Sequence, residues 1–489
     1  MTRETSMRDR IALGIEPLSR DDLYKIHEAT LELLERTGVR VDNQEARSML
    51  QKAGADVDLK SRVVKIPQHL VEWALKKAPR SLFLAGRRGN GKHDMRFERK
   101  RAYFTIGQAN LYTADAETGE RRPSTKKDIA DAAKLADGLP NIDHVHPMFA
   151  YRTTNIGLHE LDAMLRNTEK PVTCQDYGDT DPAYYVRLAA AVAGGEEELR
   201  RRPNILLYCE QVSPLTHADS HIRGLLTFAK ARLPVVYIPC PSSGATAPAT
   251  LAGALTQSNA EVLSGIAIAQ LQSPGLPMMY GSIVAPFDMR TLNRCVSTPQ
   301  YLLNTLAIAQ LGRYYGLPVY SQGGASVSKV LDFQAVIEAS LSITFAFLSG
   351  ANLIHDAGNM EFALTGSLEL VTIADDIVSM VRHTLSGFEV TDETIGLDVI
   401  SKVGPGGNYL SQTHTKQWFK NEQWYSDLMD RWSRDTWAEK GSKTYQQRVR
   451  EKTLQILRNH VPEPLPRDVI SEMDNIVREA EENLGRYQA

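Results

Sequence analysis

What is scarce in this chain narrows its identity first. Its 489 residues hold four cysteines, Cys174, Cys209, Cys240 and Cys295, too few for a disulfide framework, so a reducing, cytoplasmic setting is expected. The opening MTRETSMRDR contains no apolar signal core. No run of about 18 uncharged apolar residues occurs, and no membrane span is expected. An excess of one charge sign is missing too: 56 Lys and Arg against 59 Asp and Glu leave a net charge of −3. That balance offers no broad cationic field for a phosphate backbone, so nucleic acid is not an expected partner. GxGxxG, GxSxG, HExxH and P-loop patterns are absent, and RGNGK at residues 88–92 lacks the length and the following Ser or Thr of a phosphate loop.

What is present is a globular balance, 42% apolar and 24% charged residues, with ample material for a core. Ser19 with two aspartates behind it starts a helix that Gly38 stops; helical stretches at 44–53 and 68–77 flank alternating segments at 62–66 and 81–84. Residues 1–100 therefore read as an α+β extension. Beyond it, short apolar runs alternate with helical stretches. The runs are 102–108, 144–151, 171–177, 204–210, 234–240, 277–283, 318–324 and 352–356. Eight such units over about 260 residues predict an α/β fold, a (β/α)8 TIM barrel over 101–390, with a doubly wound sheet as the alternative. Leu-Pro pairs at 233–234, 276–277 and 317–318 mark where loops lead into strands. A polar helical extension, 391–489, carries four of the five tryptophans and is expected to pack on the barrel or on a neighbouring subunit of a homo-oligomer.

In such a barrel the reacting groups stand at the C-terminal ends of the strands. Those ends carry Gln108, Tyr151, Asp176 with Tyr177, Glu210 with Gln211, Cys240, Ser282, Gln322 with Gly323, and His355 with Asp356. His355, closing the last run, is the candidate catalytic histidine. Tyr103, Phe104, Tyr177, Tyr208, Tyr280 and Phe362 are candidate walls for a cation, because aromatic faces carry negative potential. Alternation puts Tyr208 and Glu210 on one side of their strand and Cys209 on the other, and Gln108 on the side of Phe104. Cys174, Cys209 and Cys240 on successive strands raise a zinc–thiolate alternative, although no CxxC or HxC spacing supports it.

Longer motifs run through the chain: IHEATLELLERTGVRV, ADAETGERRPSTKKDIADAAKLAD, ATAPATLAGALTQSNAEVLSGIAIAQL, QLGRYYGLPVYSQGGASVSKVLDFQA, LSGANLIHDAGNME and GPGGNYLSQTHTKQW. With these the chain resembles the trimethylamine methyltransferase family of corrinoid-protein methyltransferases, in the branch without pyrrolysine that includes glycine betaine methyltransferases. The resemblance implies a (β/α)8 barrel that transfers an amine methyl group to Co(I) of cobalamin presented by a separate corrinoid protein, with no cofactor bound permanently and no metal of its own. Pyrrolysine members place that residue near a late strand; here the corresponding Tyr320–Ser328 reads YSQGGASVS. This departure points to a quaternary amine, glycine betaine or a related betaine. On that reading Glu210 and aromatic faces surround the ammonium, Arg290 or the Gly323 and Gly324 amides hold a carboxylate, and His355 stands beside the methyl path. A zinc-dependent methyltransferase or hydrolase and a non-catalytic betaine-binding protein are the alternatives.

Overall fold

The computed structural model describes residues 15–87, 89–99 and 101–483. The decapeptide read for a signal core and Arg88 of RGNGK lie outside them.

A seven-stranded sheet organises the chain. Its strands are β1 (Tyr103–Ile106), β2 (Val172–Gln175), β3 (Ile205–Gln211), β4 (Val235–Pro239), β5 (Met278–Gly281), β6 (Val319–Gln322) and β7 (Leu353–Ala357). The order across the sheet is β1-β7-β6-β5-β4-β3-β2, and every pairing is parallel. The Leu-Pro pairs stand immediately before β4, β5 and β6, as expected. Proline lacks an N–H but keeps its carbonyl, and Pro234, Pro277 and Pro318 each accept from the preceding strand: Leu207 N–H at 3.1 Å, Val235 N–H at 3.2 Å and Tyr280 N–H at 2.8 Å.

Seven of the eight runs are strands of this sheet. The run at 144–151 forms isolated bridges instead, Thr105 with His144, Val145 with Val172, and Asn110 with Phe149. Pro147, without an N–H, interrupts any regular ladder there. The segment nevertheless reaches both sheet edges: Asp143 N–H donates to Phe104 O at 2.8 Å, and Thr173 N–H donates to Val145 O at 2.8 Å.

Successive residues of each strand divide between two apolar clusters. Leu206, Tyr208, Val236, Ile238, Met279, Tyr320 and Leu353 form the inner cluster, and Leu207, Cys209, Tyr237, Tyr280 and Ile354 pack toward the helices. A hairpin of Leu82–Leu84 with Met95–Phe97 joins the inner cluster beside Tyr103, at the N-terminal ends of the strands. The inside of the sheet is thereby plugged at that end, while at the other Glu210 and Cys240 stay partly exposed.

Before the sheet, Ser19 closes a capping box with Asp22 on the helix Arg20–Arg36. The strand Val39–Val41 pairs with Thr216–His217, which ties the first hundred residues to the loop after β3. In the tail, the helices Tyr445–Asn459 and Arg467–Glu482 bury Val449, Met473, Ile476 and Ala480. The short helices between residues 392 and 439 bury nothing, and Trp432 is 62% exposed. No helix among the described residues is long and apolar enough to cross a membrane.

Candidate active site

At the open end, β3 sets the pattern. The Tyr208 hydroxyl donates to Glu210 Oε1, so tyrosine and carboxyl share the inner face, while Cys209 faces the helices. Tyr320 of β6 and His355 of β7 complete the wall on the other side. Their rings lie 4.6 Å apart, Tyr320 is 5.7 Å from Tyr208, and His355 is 6.0 Å from Tyr208. His146, from the bridging segment, comes within 5.1 Å of Tyr208 and 5.3 Å of His355. Tyr301, at the start of the helix Pro299–Tyr315, donates to Gln322 Oε1 at the rim.

His355 is aimed by an irregular backbone. The β7–β1 register shifts between Ile354 and Ala357, and Asp356 takes φ 90°, a value that L residues rarely adopt. Asn359 Nδ2 holds Asp356 Oδ1 at 2.9 Å and also donates to Gly107 O at 2.9 Å. Asn110 Nδ2 in turn donates to Asn359 Oδ1 at 2.7 Å. A buried polar network of this kind fixes the strained corner.

Several inward polar atoms are left over. Both nitrogens of His146 and of His355, and the Tyr320 hydroxyl, are buried without a hydrogen-bond partner among the described residues. His355 Nδ1 is 3.1 Å from Asp356 Oδ1, but out of line for a hydrogen bond. Unpaired buried polar atoms are costly, and the gathering of five here makes this cluster the candidate site. Burial, reinforced by neighbouring His355 and His144, holds His146 well below the ordinary histidine range, and burial takes His144 down to about 3. Burial first, and the nearby Glu210 second, push the Tyr208 hydroxyl well above 10. Burial followed by Asp356 does the same for Tyr320. At neutral pH these two histidines and two tyrosines are therefore uncharged.

The structure brings His355, Glu210 and Tyr208 together and places the other expected residues elsewhere. Phe104 lies outside the sheet, stacked on Phe347 at 5.9 Å with Arg382 5.4 Å from its ring. Tyr280 donates to Asn259 Oδ1 at 2.9 Å in the helical layer, and Tyr177 donates to both Glu160 oxygens at 3.0 and 3.1 Å. Phe104 and Tyr280 face outward because alternation fixes which residues share a side of a strand and not which side is the inner one, and Tyr177 lies beyond the end of β2. Gln108 is half-buried beyond Gly107, whose φ of 105° breaks the alternation that would have set its side. Phe362 sits in a turn under Lys329, 4.7 Å from its ring. Arg290 is 89% exposed and is bound to Asp288. The Gly323 N–H donates to His355 O at 2.7 Å and the Gly324 N–H to Ser342 Oγ at 2.9 Å, so neither amide is free for a carboxylate. Cys174 and Cys209 face the helices while Cys240 adjoins the inner cluster; the three thiols do not converge.

Sequence reasoning missed His146, Tyr320 and Tyr301. The i, i+2 spacing of His144-Val145-His146 and of Tyr320-Ser321-Gln322 was the available signal, since such pairs share a strand face.

The trimethylamine methyltransferase (MTTB) family model matches residues 3–485. Trimethylamine methyltransferase MttB of Desulfitobacterium hafniense is 36% identical over 481 residues, covering 96% of this chain and 95% of that protein. Its counterpart in Methanosarcina barkeri is 35% identical over 473 residues, with 94% of each chain covered. A glycine betaine methyltransferase of Desulfitobacterium hafniense is 31% identical over 474 residues, covering 96% of this chain and 98% of that protein.

Proposed function

The chain belongs to the trimethylamine methyltransferase family and is a methyltransferase, and from that premise we propose that it moves a methyl group from a quaternary ammonium of the glycine betaine type to Co(I) of a corrinoid carried by a separate protein. The observation that supports this reading best is the Tyr208–Glu210 pair facing Tyr320 across the open end of the sheet. Ring faces and a carboxyl group attract a permanently charged ammonium, and neither donates a proton to it.

A quaternary nitrogen needs no proton. Co(I) supplies the electron pair that forms the new Co–C bond, the N–CH3 bond breaks, and its pair returns to nitrogen, which leaves as a neutral tertiary amine. A tertiary substrate would first need its lone pair engaged, and in Tyr320–Ser328 every residue is an ordinary one. The protein's part is to orient the methyl carbon and exclude water. Tyr208, Tyr320 and Glu210 hold the ammonium, and His355 and His146 line the path to the cobalt. In this reading the bridging segment at 143–149 is the eighth stave of a closed barrel, and the corrinoid protein docks over the C-terminal ends of the strands.

Melting curves test the substrate class. Glycine betaine and related carboxylated quaternary amines are expected to raise the melting temperature, because a ligand that binds only the folded state stabilises it by mass action. Trimethylamine is expected to do little, and an equal shift with trimethylamine would count against the reading.

A further inference from the structure

The hairpin beyond β5 carries two arginines with different surroundings. Ala285–Asp288 pairs with Asn293–Arg294, Phe287 opposite Arg294, and also runs alongside Ser242–Ser243 beyond β4. Arg290, at the tip, is neutralised by Asp288. Arg294 is half-buried, has no carboxylate partner among the described residues, and is steadied by one bond, Nη2 to Ile283 O at 2.6 Å. Its Nε is buried with no hydrogen-bond partner among the described residues. Ile283 belongs to the inner cluster, and Val296, two residues beyond Arg294, packs against it. A guanidinium without a counter-charge is thus held at the mouth where the tyrosines and Glu210 gather.

We propose that Arg294 is the carboxylate anchor of the site, so that the mouth presents Glu210 to the ammonium end and Arg294 to the carboxylate end of a short zwitterion. This rests on the quaternary-amine reading above and narrows it to quaternary amines that also carry an acid group. The Cys240 thiol locates the two poles: after burial, its strongest influences are the Glu210 charge, which pushes it up, and the Arg294 charge, which draws it down. Tyr301, already bonded to Gln322, feels Arg294 in the same way. Guanidinium is suited to this task because it stays charged and presents a planar fork that matches a carboxylate. A carboxylate would also give the buried Nε the acceptor it lacks.

Titration calorimetry with glycine betaine and with tetramethylammonium, on the wild-type chain and on Arg294→Met, tests the assignment. Wild type should bind betaine at least tenfold more tightly than tetramethylammonium. Arg294→Met should lose that preference, with betaine weakened at least tenfold and tetramethylammonium changed less than twofold. Unchanged betaine affinity in Arg294→Met, or equal weakening of both ligands, overturns the anchor. Wild type that binds tetramethylammonium as well as betaine overturns it too, while leaving the quaternary-amine reading standing; wild type that binds neither overturns that reading itself. If Arg294→Met gives no cooperative melt, Arg294→Lys, which keeps the charge but loses the fork, should show a smaller loss confined to betaine, and no loss there is equally decisive against the proposal.

Discussion

Two tyrosine–carboxyl pairs stand on opposite faces of the same sheet, and only one of them is a candidate site. Tyr177 and Glu160 lie outside β2, where Glu160 is fully buried and both of its oxygens accept from the tyrosine hydroxyl. Burial raises the Glu160 carboxyl well above its ordinary range, and of this pair only the tyrosine is partly exposed. Tyr208 and Glu210 lie inside, where the carboxyl is the partly exposed member and the rings of His146, Tyr320 and His355 gather around the tyrosine. The residue types are the same. The inner pair is the one whose carboxyl is partly exposed, and that makes it the candidate.

Two buried groups, Asp176 and His144, carry opposite pH dependences, and separating them should give the largest effect. Asp176, outside β2, is raised to about 7 by burial from a value of 3.8. Between about pH 4 and pH 7 the unfolded chain releases this proton and the folded chain keeps it, so stability falls as pH rises through that window and the loss persists above it. A shift of about three units corresponds to about 4 kcal/mol. Asp176→Asn should flatten that decline in a series of melts. His144 works the other way: held at about 3 by burial, it stays neutral while the unfolded chain protonates below about 6.5. Its contribution is complete above that value and is lost as pH falls toward 3. His144→Asn should remove part of the acid-side loss. The same slope in both variants would contradict the opposite contributions assigned to the two groups.

Next in size is the contrast between the carboxyl groups. Glu210→Gln should slow single-turnover methyl transfer about a hundredfold, about 2.7 kcal/mol of barrier, while Glu160→Gln stays within about twofold of wild type. Equal losses would mean that the inner pair is no more functional than the outer. His355→Ala should slow transfer about tenfold, about 1.4 kcal/mol, with betaine binding and a cooperative melt retained. A wild-type rate in a destabilised His355→Ala would make the ring structural. The smallest effect is expected from Tyr320→Phe. Its hydroxyl has no partner among the described residues, so stability should hold or rise slightly while betaine affinity changes by a few-fold at most.

Much of the frame was legible in the chain. Leu-Pro pairs located three strands, and Ser19 and Gly38 bounded a helix that runs from Arg20 to Arg36. The pairing of Tyr208 with Glu210 followed from alternation within one strand, because the two residues needed only to agree with each other. Phe104 and Tyr280 were misplaced because alternation gives relative sides and not the absolute one, and a one-residue phase error turns a wall of the site into helix packing. The run at 144–151 concealed a different feature. Pro147 breaks its ladder, so it does not count as a strand of the sheet, yet it delivers His146 to the centre of the ring cluster. Arg290 and Arg294 are alike in sequence. Only the hairpin register separates the arginine that Asp288 neutralises from the one without a carboxylate partner among the described residues.

The central claim is that the inner face transfers a methyl group from a quaternary amine to cobalt. It is tested most directly by mixing the protein with methyl-labelled glycine betaine and free Co(I) cobalamin as acceptor, under reducing conditions, and following label and cobalt spectrum together. Methylcobalamin and dimethylglycine should form in equal amounts, at a rate that trimethylamine as donor does not approach. Transfer from trimethylamine at an equal or higher rate, with glycine betaine and other betaines left intact, would contradict the account.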